Sequence, residues 1–199
     1  MIVKTIITGE IQENCYIVIE ENTKKAFMVD PGDEGNKIAD VVDSLGVELE
    51  FILLTHGHFD HVGAVEYIAD KYKIPFYINE IDEKWSEKVP SLFGKLRKAD
   101  GYLKDGDTIA FGDKSIKIIS TPGHTEGGLC FLIDDVLLTG DTLFRASVGR
   151  TDFPGGNSKK IIDSIKNRLL GLGDDISVYP GHGPSSTIAF EKERNPYLN

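Results

Sequence analysis

Cysteine is nearly absent from this 199-residue chain, and each of the two, Cys15 and Cys130, lies inside a strand-like apolar run. A disulfide framework is therefore excluded as the basis of the fold, and two buried free thiols in a reducing cytoplasm are expected rather than one bridge. Neither cysteine has metal-ligand spacing to a histidine, so no thiolate-rich structural zinc site is expected. Long apolar runs are missing too. None approaches the ~18 residues that a membrane helix needs. The start, Met1-Ile2-Val3-Lys4-Thr5-Ile6, lacks the basic then apolar pattern of a secretory signal, so no export and no membrane partner are expected. Positive charge is in deficit, with 22 Lys and Arg against 32 Asp and Glu and a net charge of −10. Such a surface repels phosphates, which excludes a nucleic-acid partner.

Apolar residues make up 40% of the chain, enough for a real core, and one compact domain over residues 1–199 is the expectation. The runs 2–7, 15–19 and 26–29 read as an antiparallel meander, and Phe111-Gly112-Asp113-Lys114 reads as a hairpin turn. Amphipathic helices are predicted over 36–45, stopping at Gly46, over 62–72, and over 158–170 with Ser158 as N-cap. Residues 80–104, charged and interrupted by Pro90 and Gly94, read either as a substrate lid or as a plain connector.

Histidine is scarce as well, but its placement is informative. Three of the five fall in Thr55-His56-Gly57-His58-Phe59-Asp60-His61, and His124 and His182 each follow a Pro-Gly turn. Phe51–Leu54 runs straight into the first cluster. Ile116–Ser120 leads to His124, Val136–Thr139 to Asp141, and Ile176–Tyr179 to His182. Four strands thus end in loops that carry a metal-binding side chain, and ligands gather beyond the carboxyl ends of strands in mixed α/β folds. His56 and His58, two apart, can grip one ion with His124. Asp60 and His61 face another way and can join His182 on a second ion. The Asp141 carboxylate can bridge both. Mixed nitrogen and oxygen ligands suit zinc, iron or manganese. Each histidine alone is more often a core or surface residue, and Asp141 alone would read as a turn residue. Four polar side chains crowded after a buried strand are costly without a common partner, which favours metal. Asp30, in Val29-Asp30-Pro31-Gly32, is read as orienting a ligand histidine, with simple turn chemistry as the alternative.

This set, His56-x-His58-x-Asp60-His61 followed by His124, Asp141 and His182, resembles the metallo-β-lactamase superfamily over nearly the whole chain. The resemblance implies an α+β fold, an αββα sandwich of two mixed sheets with helices outside and a dinuclear site at one edge. Leu143-Phe144-Arg145, Gly149-Arg150-Thr151-Asp152-Phe153, Pro180-Gly181-His182-Gly183-Pro184 and the tail Glu191 with Asn195-Pro196-Tyr197-Leu198 look like the short bacterial branch of the glyoxalase II-like hydrolases. Only 17 residues of this sequence follow His182, so a counterpart of the C-terminal helical extension of full-length glyoxalase II, which helps to bind glutathione, is not expected.

By this resemblance the protein is expected to be a dinuclear metallohydrolase, with two divalent ions (zinc first, iron or manganese as alternatives). It would cleave a small-molecule thioester such as S-D-lactoylglutathione through a metal-bridging hydroxide. Asp60 and Asp141 would be the catalytic carboxylates. Arg145 and Arg150, just after Asp141, would bind a substrate carboxylate, or else pair with surface acids. Competing expectations are a mononuclear iron persulfide dioxygenase, which leaves His61 and His182 without a role, and a lactonase or other ester hydrolase on the same ligands. A non-catalytic binding protein fits least, because no ligand is missing. The oligomeric state is left open.

Overall fold

The structure is a computed structural model that describes residues 1–198. The chain divides into two compact units, Met1–Tyr102 and the remainder from Leu103.

The first unit is one six-stranded sheet whose spatial order follows the sequence. Strands β1 (Ile2–Thr8), β2 (Glu13–Ile19) and β3 (Lys25–Val29) form the expected antiparallel meander. From there the pairing turns parallel, through β4 (Glu48–Leu53), β5 (Phe76–Ile78) and β6 (Gly101–Tyr102). Parallel neighbours need crossover connections, and helices supply them: α1 (Gly35–Leu45), then α2 (Phe59–Val62) with α3 (Val65–Tyr72), then α4 (Glu80–Lys88). All seven residues of β2 are buried, as in a strand covered on both faces. Helix α1 sends Ile38, Ala39 and Val42 into the core and ends at Gly46, whose φ of 59° is the left-handed cap conformation. Ile17, Met28, Ile52, Leu54, Val65, Ile68 and Phe76 share one core cluster.

The helix predicted over 62–72 begins earlier and is broken. A short turn forms at Phe59–Val62, and the chain restarts as α3 at Val65. The break lies at Gly63, where a Cβ would stand 2.4 Å from the Gly32 carbonyl oxygen, while the Ala64 amide donates to the Pro31 carbonyl at 3.0 Å. Tertiary contact with the 31–32 loop therefore decides the helix start. Residues 80–88 are helical, with the Asn79 side chain accepting from the Ile81 amide at 2.9 Å.

The second unit is a second mixed sheet, ordered β14-β13-β10-β9-β8-β7. It comprises β7 (Thr108–Phe111), β8 (Lys114–Ser120), β9 (Leu129–Ile133), β10 (Val136–Gly140), β13 (Ser177–Pro180) and β14 (Ser186–Thr187). Phe111 pairs with Lys114 across the two-residue turn Gly112-Asp113, as predicted. Only β10 and β13 run parallel, and α5 (Ser158–Ser164) lies between them in sequence. A small hairpin, β11 (Leu143–Phe144) and β12 (Ser147–Val148), precedes α5, and α6 (Ile188–Arg194) follows β14. The N-cap of α5 is Asn157, not Ser158, because the Asn157 side chain accepts from the Lys160 amide at 2.9 Å. After Ser164 the helix widens into a π-turn over Ile165–Leu169. A wider turn keeps Ile161, Ile165 and Leu169, spaced four apart, on one buried face. Both cysteines are buried free thiols. Among the described residues no helix is long and apolar enough to cross a membrane.

Candidate metal centre

Each unit carries one group of the predicted ligands at the carboxyl ends of its strands. In the first unit β4 stops at Leu53, and the chain descends through Leu54 and Thr55 into the histidine loop. His56 and His58 therefore lie in a loop and not in a continuing strand, with His58 in an extended conformation ahead of α2. His56, His58 and His61 are 2%, 3% and 0% exposed. Imidazoles this deeply buried need a defined partner for each nitrogen.

Asp30 supplies much of that definition. It ends β3 with a left-handed φ of 49°. Its Oδ1 accepts the Thr55 amide at 2.7 Å, and its Oδ2 accepts the Thr55 hydroxyl at 2.5 Å. Since the Thr55 hydroxyl donates to Asp30, its oxygen is left to accept from His56 Nδ1, 3.0 Å away. His56 thus carries its proton on Nδ1 and presents an unprotonated Nε2. Asp30 Oδ2 also faces His61 Nδ1 at 3.0 Å, which places the His61 proton there and leaves Nε2 as the donor atom. One carboxylate so sets the tautomer of two imidazoles, the role expected of a residue that orients ligands from behind. Asp30, His56 and His61 offer atoms all within 4.8 Å of one another. Asp30 Oδ1 accepts from Thr55 and Oδ2 from both Thr55 and His61, so we assign Asp30 to orientation and not to ligation.

His56 Nε2 and His58 Nδ1 stand 3.1 Å apart, with the rings at 84°. Two nitrogens on one tetrahedral ion, each ~2.0–2.1 Å from it, would be separated by about 3.3 Å. Asp60 Oδ2 lies 3.5 Å from His61 Nε2. The loop after Asp30 must pass tightly beneath this turn: a Cβ on Gly32 would stand 1.7 Å from the Asp60 carbonyl oxygen. Beside Asp60 opens a cavity of about 420 Å³, lined in part by Thr8, Ile11, Gly32, Phe59 and Asp60.

A residue missed by sequence reasoning lies underneath. Glu13, 1% exposed, accepts the Thr8 hydroxyl at 2.8 Å, and its Oε1 is 3.9 Å from His61 Nδ1. Burial pushes its carboxyl well above the usual range, with His61 pulling the other way. The signal available in the sequence was an acid two residues ahead of the apolar run Cys15–Ile19.

In the second unit His124 follows β8 and is 4% exposed. Its Nδ1 donates to the Arg150 carbonyl at 2.8 Å, so Nε2 is again the unprotonated nitrogen. It lies 3.4 Å from Asp141 Oδ2, and His182 Nε2 lies 3.8 Å from the same oxygen. Sheet register brings these together: Gly140 pairs with Pro180 in the parallel β10–β13 ladder, and the Gly181 amide donates to the Gly140 carbonyl at 2.8 Å. Asp141 and His182 therefore leave adjacent strand ends. Gly149 permits the close approach behind Asp141, since a Cβ there would meet the Asp141 carbonyl oxygen at 1.8 Å. Thr121 and Thr142, both buried, join hydroxyls at 2.9 Å and tie the loops after β8 and β10.

The two arginines are already engaged. Arg150 forks onto Asp152 with contacts of 2.8 and 2.7 Å and stacks on Phe153 at 3.7 Å, and it holds the Asp152 carboxyl down at about 2. It is the carbonyl of Arg150 that touches the centre, through His124. Arg145 reaches the Ser185 carbonyl at 3.3 Å and lies over the Phe190 ring at 4.6 Å.

Unprotonated imidazole nitrogens near carboxylate oxygens in each unit, with no cysteine among them, fit a divalent ion of the zinc, iron or manganese type. A model of the metallo-beta-lactamase superfamily matches residues 8–182. The chain belongs to this superfamily. It is 37% identical over 94% of its length to hydroxyacylglutathione hydrolase GloC of Haemophilus influenzae, covering 93% of that protein. Among solved structures, the BLEG-1 B3 metallo-beta-lactamase matches the whole chain and is wholly covered, at a TM-score of 0.92 and 32% identity. TTHA1623 in a di-iron-bound form matches 98% of the chain and is wholly covered, at a TM-score of 0.87 and 35% identity. The protein is thus a metal-dependent hydrolase of the metallo-β-lactamase fold, α+β with two mixed sheets and helices.

Proposed function

We propose that this superfamily member is a dinuclear thioesterase of the hydroxyacylglutathione hydrolase type, acting as one domain over residues 1–199. In this reading the two ligand groups close on one centre. His56, His58 and His124 would hold one ion and Asp60, His61 and His182 the other, with the Asp141 carboxylate able to serve both. The observation that carries it is the tautomer pattern: His56 and His61 through Asp30, and His124 through the Arg150 carbonyl, all carry the proton on Nδ1 and leave Nε2 unprotonated. The di-iron form of TTHA1623 supports two ions, and GloC supports the thioester substrate. Two buried free thiols suit a reducing cytoplasm.

When bound, such ions would lower the pKa of a water to near neutrality and would polarise the substrate carbonyl. The chain's own residues do the rest. Asp60 and Asp141 add negative charge and acceptor oxygens that orient the attacking water. Ile11 and Phe59, on the wall of the cavity beside Asp60, give an apolar surface for the acyl group. Arg145, held by one carbonyl and one ring, is the arginine readier to take a substrate carboxylate. Arg150 must first give up Asp152. The leaving thiolate is stable near neutral pH and needs little acid help.

Likeness to a B3 metallo-beta-lactamase favours a second reading, hydrolysis of a lactam or lactone on the same residues. Purified protein given S-D-lactoylglutathione should release glutathione and D-lactate without oxygen uptake, with two metal ions per chain by elemental analysis. Vigorous oxygen consumption with glutathione persulfide and ferrous iron would replace this reading with the dioxygenase. Turnover of lactones or β-lactams alone would establish the second reading.

A further inference from the structure

Within residues 80–104, whose sequence left open a lid or a connector, Asp82 and residues 92–94 are bonded to the histidine loop. The Phe59 amide donates to the Leu92 carbonyl at 2.9 Å, and the Gly94 amide donates to the Gly57 carbonyl at 3.0 Å. His58 and Phe93 form an antiparallel bridge. The Phe93 ring, fully buried, lies 4.8 Å from the His58 ring and stacks on Trp85 at 5.7 Å. The Ser86 hydroxyl donates to the Gly94 carbonyl at 2.8 Å, which ties the far side of this segment back to α4.

Within that frame stands Asp82. It lies in the first turn of α4, is 0% exposed, and its Oδ2 accepts the Gly57 amide at 3.0 Å. A carboxylate is expensive to bury. Here the cost is offset by the positive end of a helix and by the charge-assisted bond to Gly57. Gly57 is the residue between His56 and His58, so this bond fixes the peptide that separates two candidate ligands. The fit is close on the other side too: a Cβ on Gly57 would meet Phe93 Cδ1 at 3.1 Å and the Asp82 carbonyl oxygen at 3.2 Å. With its peptide held by Asp82 and the His58 ring walled by Phe93, the turn can present His56 Nε2 and His58 Nδ1 3.1 Å apart.

We infer that Asp82 is a positioning residue for the His56–Gly57–His58 pair, holding both ring nitrogens on one point so that a divalent cation meets them preorganised, with Phe93 as the wall that fixes the His58 ring. This rests on the metal-binding reading above and deepens it. Asp82 acts through the Gly57 amide.

The test is cobalt(II) loading of Asp82→Ala and Asp82→Asn beside the parent protein, followed by visible absorption and by competition with a chromophoric chelator. Asp82→Ala should lose about 10–100-fold in affinity for one of two cobalt ions, with an altered absorption band, as expected when a group supporting a ligand is removed. Asp82→Asn keeps a carbonyl oxygen for the Gly57 amide and should recover most of the loss and the parent band. Should Asp82→Ala fail to fold, Phe93→Leu supplies the second arm and should change the cobalt band while Asp82→Asn does not. Parent protein that binds no cobalt would sink the metal reading itself. Two ions bound with parent affinity and spectrum by Asp82→Ala would overturn the role of Asp82 alone, even if its melting temperature fell.

Discussion

Replacing Asp30 with asparagine should disarm two ligands without touching either. The Asp30 carboxylate accepts from the Thr55 amide, the Thr55 hydroxyl and His61 Nδ1 at 2.7, 2.5 and 3.0 Å. An asparagine can keep its carbonyl on the Thr55 amide, which puts its NH2 group where Oδ2 stood. That group can only donate. It forces His61 to accept at Nδ1 and so to carry its proton on Nε2, the atom needed for metal. It also reverses the Thr55 hydroxyl, which then donates to His56 Nδ1, and His56 too becomes protonated at Nε2. Loss of such support costs about 10–100-fold in metal affinity, or about 1.4–2.7 kcal/mol. Two of three charge-assisted bonds change character, each worth about 1.5–3 kcal/mol. Metal-free Asp30→Asn should therefore fold, with stability reduced by less than about 6 kcal/mol. Long-range proton–nitrogen NMR of labelled histidine reads the tautomers in the metal-free protein, and chelator competition reads affinity. Unchanged tautomers of His56 and His61, with affinity within about twofold of the parent, would refute the reasoning.

Asp141→Asn should lower kcat by at least about a hundredfold at saturating metal, with an unchanged far-ultraviolet spectrum, because the side chain leaves the end of β10 without serving its core; near-parent kcat would return it to a turn role. Gly149→Ala should cost about 3 kcal/mol by chemical denaturation, since the added carbon lands 1.8 Å from the Asp141 carbonyl, whereas Gly171→Ala, with nothing within 4 Å, should cost about 0.5 kcal/mol or less. The Asp152 carboxyl is depressed to about 2 by Arg150, so the pair is fully present above the ordinary value of 3.8 and is lost as pH falls through about 2. Carbon-13 titration should show Asp152 moving near pH 2, and Arg150→Ala should bring it back toward 3.8. A titration near 4 in the parent protein would mean that the arginine is free for substrate.

Local pattern was enough for much of this. The apolar runs at 51–54, 116–120, 136–139 and 176–179 end at His56, His124, Asp141 and His182 because a buried strand must emerge somewhere polar, and each emergence is marked by an immediate ligand or a Pro-Gly turn. The meander, the Gly112-Asp113 hairpin and the stop of α1 at Gly46 follow from side-chain period and glycine conformation, which are properties of neighbours in sequence. Asp30 was legible as a polar residue after a strand, although nothing local could say that it serves both His56 and His61. The rest depended on groups far apart in the chain. The break at Gly63 arises from the carbonyl of Gly32. The pairing of Asp141 with His182 arises from the β10–β13 register. Glu13 and Asp82 carry no motif, and their roles exist only because folding sets one beside His61 and the other on the amide of Gly57. Arg150 shows the same division in one residue: its charge suggested a substrate anchor, while the structure spends the guanidinium on Asp152 and uses the carbonyl to hold His124. Sequence states which groups are available, and tertiary packing decides which donor meets which acceptor, because hydrogen bonds and metal ligation depend on distance in space and not along the chain.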